Sequence, residues 1–68
     1  MHPVQFVPGR LREARGIRRR EEIAVAARVS VETLRRWESG AYVPNASQLA
    51  AIASATGKSI AFFFQRAA

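Results

Sequence analysis

The chain has no cysteine, so disulfide staples, thiolate metal sites and thiol chemistry are excluded at the outset. It also has no aspartate, and its one histidine is His2, beside the start methionine. General acid–base or metal catalysis would have to be assembled from five glutamates alone, which leaves almost no catalytic material. We therefore expect no enzyme, no catalytic residue, no metal and no cofactor. No apolar run approaches the about 18 residues of a membrane span, and Met1–Pro8 lacks the basic and apolar regions of a signal peptide. The expectation is a soluble, cytoplasmic protein with no membrane partner.

What is abundant is positive charge. Eleven Lys and Arg against five Glu give a formal net charge of +6 on 68 residues, which points to an anionic partner, nucleic acid first. Most of that charge lies in residues 1–36, and no low-complexity tract or internal repeat is present. A chain of this length can build one core only. Such a core rarely supplies more than ~3–5 kcal/mol, so an oligomer is expected.

Apolar residues recur at helical rather than strand spacing throughout, which predicts an all-α domain of five helices. The first spans about 8–15, burying Leu11 and Ala14 and ending at Gly16, with Ile17 plugging the core behind it. The second spans about 20–27, with Ile23, Ala24 and Ala27 on one face and Glu21–Glu22 in the dipole-favoured first turn. Ser30 caps a third over about 31–38, with Val31, Leu34 and Trp37 or Glu38 on one face. Asn45 and Gln48 form a capping box for a fourth, which carries Leu49, Ile52, Ala53 and Thr56 and closes at Gly57. Ser59 begins a short aromatic helix over about 60–65.

The run from Arg20 to Gly40 resembles the helix-turn-helix of the Cro/repressor-type, or XRE, family, and the resemblance extends from about Arg10 to Phe64. It rests on Glu21-x-Ile23-Ala24, Val29-Ser30, Thr33-Leu34, Glu38-x-Gly40, Pro44, and Leu49-x-x-Ile52-Ala53 with Gly57. The resemblance implies a lambda-repressor-like domain with the helix-turn-helix at helices two and three, and the third helix lying in the major groove. The base-reading side chains would then be Val31, Glu32, Arg35 and Arg36. Arginine donates two bonds to guanine, glutamate accepts from cytosine N4, and valine meets a thymine methyl. Arg20 takes the position where the family usually has a backbone-contacting glutamine. The remaining phosphate candidates are Arg18, Arg19, Arg28, Thr33, Ser39, Gly40 and Asn45. Arg10, Arg12 and Arg15 receive no firm role.

Two departures from the pattern matter. Arg28 stands where the turn usually has glycine, so either the turn relaxes or Arg28 is kept for a phosphate. Phe62 stands where the family is usually polar, and with Ile60 and Phe63 it predicts a self-association patch. Phe63 and Phe64 are also expected to close the core over Leu49 and Ile52. Glu38 is expected to bond locally, ordering the loop or neutralising an arginine, and Trp37 to be core. Relatives often continue into further domains beyond Phe64, so a chain of 68 residues suggests a minimal Cro-like homodimeric repressor reading a palindrome on double-stranded DNA. The alternative is an antitoxin-like module that neutralises a protein partner.

Overall fold

Residues 4–66 are described by a computed structural model, and their order is a strand, four α-helices, a 3-10 turn and a second strand. His2 lies outside the described residues. Strand β1 is Val4–Phe6; helix α1 is Pro8–Arg15, α2 Arg20–Ala27, α3 Val31–Ser39 and α4 Ala46–Thr56. The 3-10 turn covers Ile60–Phe63, and strand β2 covers Phe64–Arg66.

Local chemistry sets each helix end. Pro8 sits in the first turn of α1, where its fixed φ and missing N–H cost nothing. Ser30 Oγ accepts from the Thr33 N–H at 3.0 Å and opens α3. At α4 the capping box is complete: Asn45 Oδ1 accepts from the Gln48 N–H, and Gln48 Oε1 accepts from the Asn45 N–H, both at 2.8 Å. The expected bounds of the first four helices agree with those observed to within a residue.

The fifth helix is a correction. Residues 60–63 form one 3-10 turn, after which the chain straightens into β2, antiparallel to β1 with Phe6 opposite Phe64 and Gln5 opposite Gln65. The Phe63 carbonyl accepts from the Val7 N–H at 2.8 Å, so the backbone bonding needed to extend a helix is diverted to the N-terminal arm. Phe64 meets Phe6 edge-on, with ring centroids 6.1 Å apart, and both half-buried rings pack against the core that holds Leu49 and Ile52.

The core gathers Leu11, Ile23, Leu34, Trp37, Ile52 and Phe63, all nearly inaccessible, around the small residues Ala14, Ala24 and Ala27. Ala24 lets α2 lie close to its neighbours, as expected of a small residue at a helix crossing. Ile17 does not plug this core: it is fully exposed. Gly16 adopts φ 62° and ψ −131°, turning the chain outward, and the next inward side chain at the ends of α1 and α4 is Arg18.

Candidate nucleic-acid interface

α2 and α3 are joined by Arg28, Val29 and Ser30. The turn does not relax: Arg28 adopts the left-handed conformation at φ 61° and ψ 42°, the one non-glycine residue with positive φ among the described residues. That conformation lets the Arg28 N–H bond back to Val25 O and the Val29 N–H to Ala24 O. Val29 then packs against the core and fixes where α3 starts.

α3 is sharply two-sided. Leu34, Trp37 and Glu38 are buried, Val31 is half-buried against the core, and Glu32, Arg35 and Arg36 are exposed. Glu32 is shared by two arginines, with Arg35 Nη1 3.3 Å from Oε1 and Arg36 Nε 3.2 Å from Oε2. The Arg36 guanidinium also lies 5.6 Å from the centre of the Tyr42 ring. Each of these pairs is more than half exposed and worth ~0–1 kcal/mol, so they orient the side chains yet exchange readily for an external partner.

Behind that surface lies a charged hub. The Glu38 side chain is 2% exposed; Oε2 accepts from Arg15 Nε at 2.9 Å, and Oε1 accepts from Arg15 Nη2 and Arg20 Nε, each at 3.1 Å. One carboxylate thus ties the end of α1, the start of α2 and the end of α3. This is the neutralising role expected of Glu38. Arg15, to which the sequence assigns no firm role, is its bidentate partner.

The phosphate candidates differ in how free they are. Arg18 is the clear departure. Its Nε donates to Arg15 O at 3.2 Å, Nη2 to Ala14 O at 2.8 Å and Thr56 O at 3.3 Å, and Nη1 to Ala55 O at 3.3 Å. The guanidinium therefore caps the carbonyl ends of α1 and α4 and, against expectation, is not free for a phosphate. Arg19 and Arg28 are exposed, and Arg20 keeps its two terminal nitrogens unbonded among the described residues. Thr33 Oγ1 accepts from Ser30 Oγ at 2.9 Å, which leaves the Thr33 hydroxyl proton for an outside acceptor. Ser39 Oγ instead donates to Arg36 O at 3.1 Å. Gly40, at φ 86°, and Asn45 are exposed at the ends of the loop leading to α4.

A family model described as helix-turn-helix matches residues 10–63. The chain is a Cro/repressor-type, XRE-family helix-turn-helix DNA-binding protein. No curated protein and no solved structure matches it. Its family is one of DNA-binding transcription regulators.

In this helix-turn-helix protein the expected self-association patch is not assembled as foreseen. Phe63 is fully buried, so it cannot meet a partner. Phe62 is half-buried, edge-on to Phe63 at 5.6 Å, with Arg10 at 5.2 Å and Lys58 at 5.1 Å from its ring centre. Two cations cover the ring that was expected to be bare. Ile60 alone of the three is exposed. No helix among the described residues is long and apolar enough to cross a membrane.

The helix-turn-helix also frames one cleft of about 180 Å³, lined by Arg12, Arg20, Arg35, Glu38 and Ser39. Arg35 is therefore turned toward α1 and the start of α2. Arg36 sits on the Tyr42 side of the same helix.

Proposed function

We propose that this protein is a sequence-specific repressor that binds double-stranded DNA as a two-fold homodimer and blocks a promoter by occupying it. The observation that carries the reading is the outer face of α3. There Glu32 and Arg36 are held against one another at 3.2 Å, and Arg36 is steadied by Tyr42. Side chains pre-set by weak, exposed contacts can exchange them for base edges at little cost.

With α3 in the major groove, Arg36 donates to guanine O6 and N7, Glu32 accepts from cytosine N4, and Val31 at the helix start meets a thymine methyl. Arg20, Arg28, Arg19 and Thr33 hold the flanking phosphates, joined by the Gly40 amide and the α4 start at Asn45. Two protomers pair about a two-fold axis, with exposed Ile60 rather than Phe63 available for the contact.

Selection of bound duplexes from a randomised pool tests this directly. The expected product is an inverted repeat whose half-sites lie ~34 Å apart, occupied by two protomers. A pool that stays random after repeated selection would overturn sequence-specific recognition.

A further inference from the structure

The cleft between α1, α2 and α3 collects more positive charge than the protein itself balances. Arg12 comes from the middle of α1, Arg20 is the first residue of α2, and Arg35 comes from α3; Glu38 and Ser39 complete the lining. Both Glu38 oxygens are already taken, Oε2 by Arg15 and Oε1 by Arg15 and Arg20 together. Glu32, which meets Arg35 at 3.3 Å, is divided with Arg36. Arg12 makes no ion pair and no side-chain hydrogen bond among the described residues. Four guanidiniums, those of Arg12, Arg15, Arg20 and Arg35, are thus gathered around one buried carboxylate and half of an exposed one.

Like charges lining one cleft repel, and the arrangement is relieved by an anion placed among them. Arg19 gives α2 no side-chain cap, and its carbonyl accepts from the Glu22 and Ile23 N–H groups, so at that end only the amides of Arg20 and Glu21 lack an acceptor among the described residues, with the Glu21 and Glu22 carboxylates in the same turn. Ser39 does not compete as a donor, because its hydroxyl proton is held by Arg36 O. The recognising groups are therefore guanidinium forks converging from three helices. A planar carboxylate offers two oxygens in one plane, whereas a phosphate group presents oxygens in several directions at once.

We propose that this cleft is a phosphate-group site in which Arg12 supplies the unpaired guanidinium, and that Arg35 belongs to it rather than to the base-reading face. The inference rests on the DNA-binding reading above and deepens it. The phosphate group comes either from the DNA backbone or from free phosphate in solution. In either case Arg12 acquires a function, and Arg36 is the one arginine of α3 that discriminates between sequences.

The test uses R12Q and R35A in the full chain, with melting curves to establish that each is folded; both side chains are exposed, so neither change opens the core. Fluorescence anisotropy is read on the selected duplex and on a scrambled duplex across a salt series. Inorganic phosphate is titrated separately against the free protein, with chloride at matched ionic strength as the control. A backbone phosphate in the cleft predicts that R12Q weakens both duplexes by the same factor, about tenfold, and lowers the salt slope by about one. R35A then also weakens both duplexes equally. Free phosphate as the ligand predicts instead that R12Q binds DNA like the wild type, while phosphate raises the melting temperature of the wild type and not of R12Q.

A variant R12Q that matches the wild type in both arms overturns the site. A loss with R35A confined to the selected duplex overturns its placement there. Should the wild type bind neither duplex, the DNA-binding reading fails, and the phosphate titration still decides the cleft.

Discussion

At the scale of single residues, arginines that look alike in sequence sit in three different settings, and each setting predicts its own signature. Arg18 caps carbonyls at the ends of α1 and α4 through all three of its nitrogens. Arg18→Ala should therefore destabilise the fold by ~1.5–3 kcal/mol, read in chemical denaturation, with the salt slope of DNA binding unchanged at a temperature where the variant is folded. A lost unit of slope with stability intact would return Arg18 to the phosphates. Arg36→Ala should do the reverse, costing ~1–3 kcal/mol on the selected duplex and little on a scrambled one. Arg28 combines two effects, since its left-handed backbone is strained while its side chain is exposed. Arg28→Gly should stabilise the protein by about 0.5–1 kcal/mol and reduce the salt slope by about one, and thermal melts with DNA titrations separate the two. Unchanged or lowered stability would show that no strain resides there.

At the scale of elements, side-chain caps decide where α3 and α4 begin, and they were readable because their chemistry is local. Ser30 and the Asn45–Gln48 box name their partners within three residues, so the helix bounds followed from sequence. Asn45→Ala removes one half of that box and should cost ~1 kcal/mol in denaturant midpoint, with the native fold otherwise kept. A larger loss would mean that Asn45 also braces the preceding loop. The same locality explains what sequence could not reveal. Strands β1 and β2 are three residues each and pair residues about sixty positions apart, so neither carries a periodic signal of its own. The aromatic run at 62–64 suggests an apolar helix face, but successive residues go to different partners. Phe63 entered the core, and Phe64 joined Phe6 across the strand pair. Ile17 was misread because Gly16 reverses the chain just before it, a consequence of one backbone conformation rather than of apolar spacing. In the interface, the helix-turn-helix and its exposed α3 face were legible from the motif. The Arg15–Glu38–Arg20 hub and the cleft at Arg12 were not, because both depend on how three helices are set against one another.

At the scale of the whole molecule, one small core supports a chain of net charge +6, and a ligand bound by the folded chain adds to its stability. A ligand that binds only the folded chain, present at 100 times its Kd, adds ~2.7 kcal/mol. For a domain of this size that corresponds to a rise in melting temperature of roughly 10–20 °C with the selected duplex, measurable by scanning calorimetry. No rise would mean that DNA does not bind the folded state at that concentration. The central claim is sequence-specific recognition through α3, and the most direct measurement is fluorescence anisotropy on the selected duplex against a scrambled one of equal length, titrated from low to physiological salt. The expected result is two protomers per duplex and an affinity at physiological salt at least ~10³-fold tighter than for the scrambled DNA. Equal, weak binding to both that disappears as salt rises would contradict it, leaving only a basic surface attracted to phosphate.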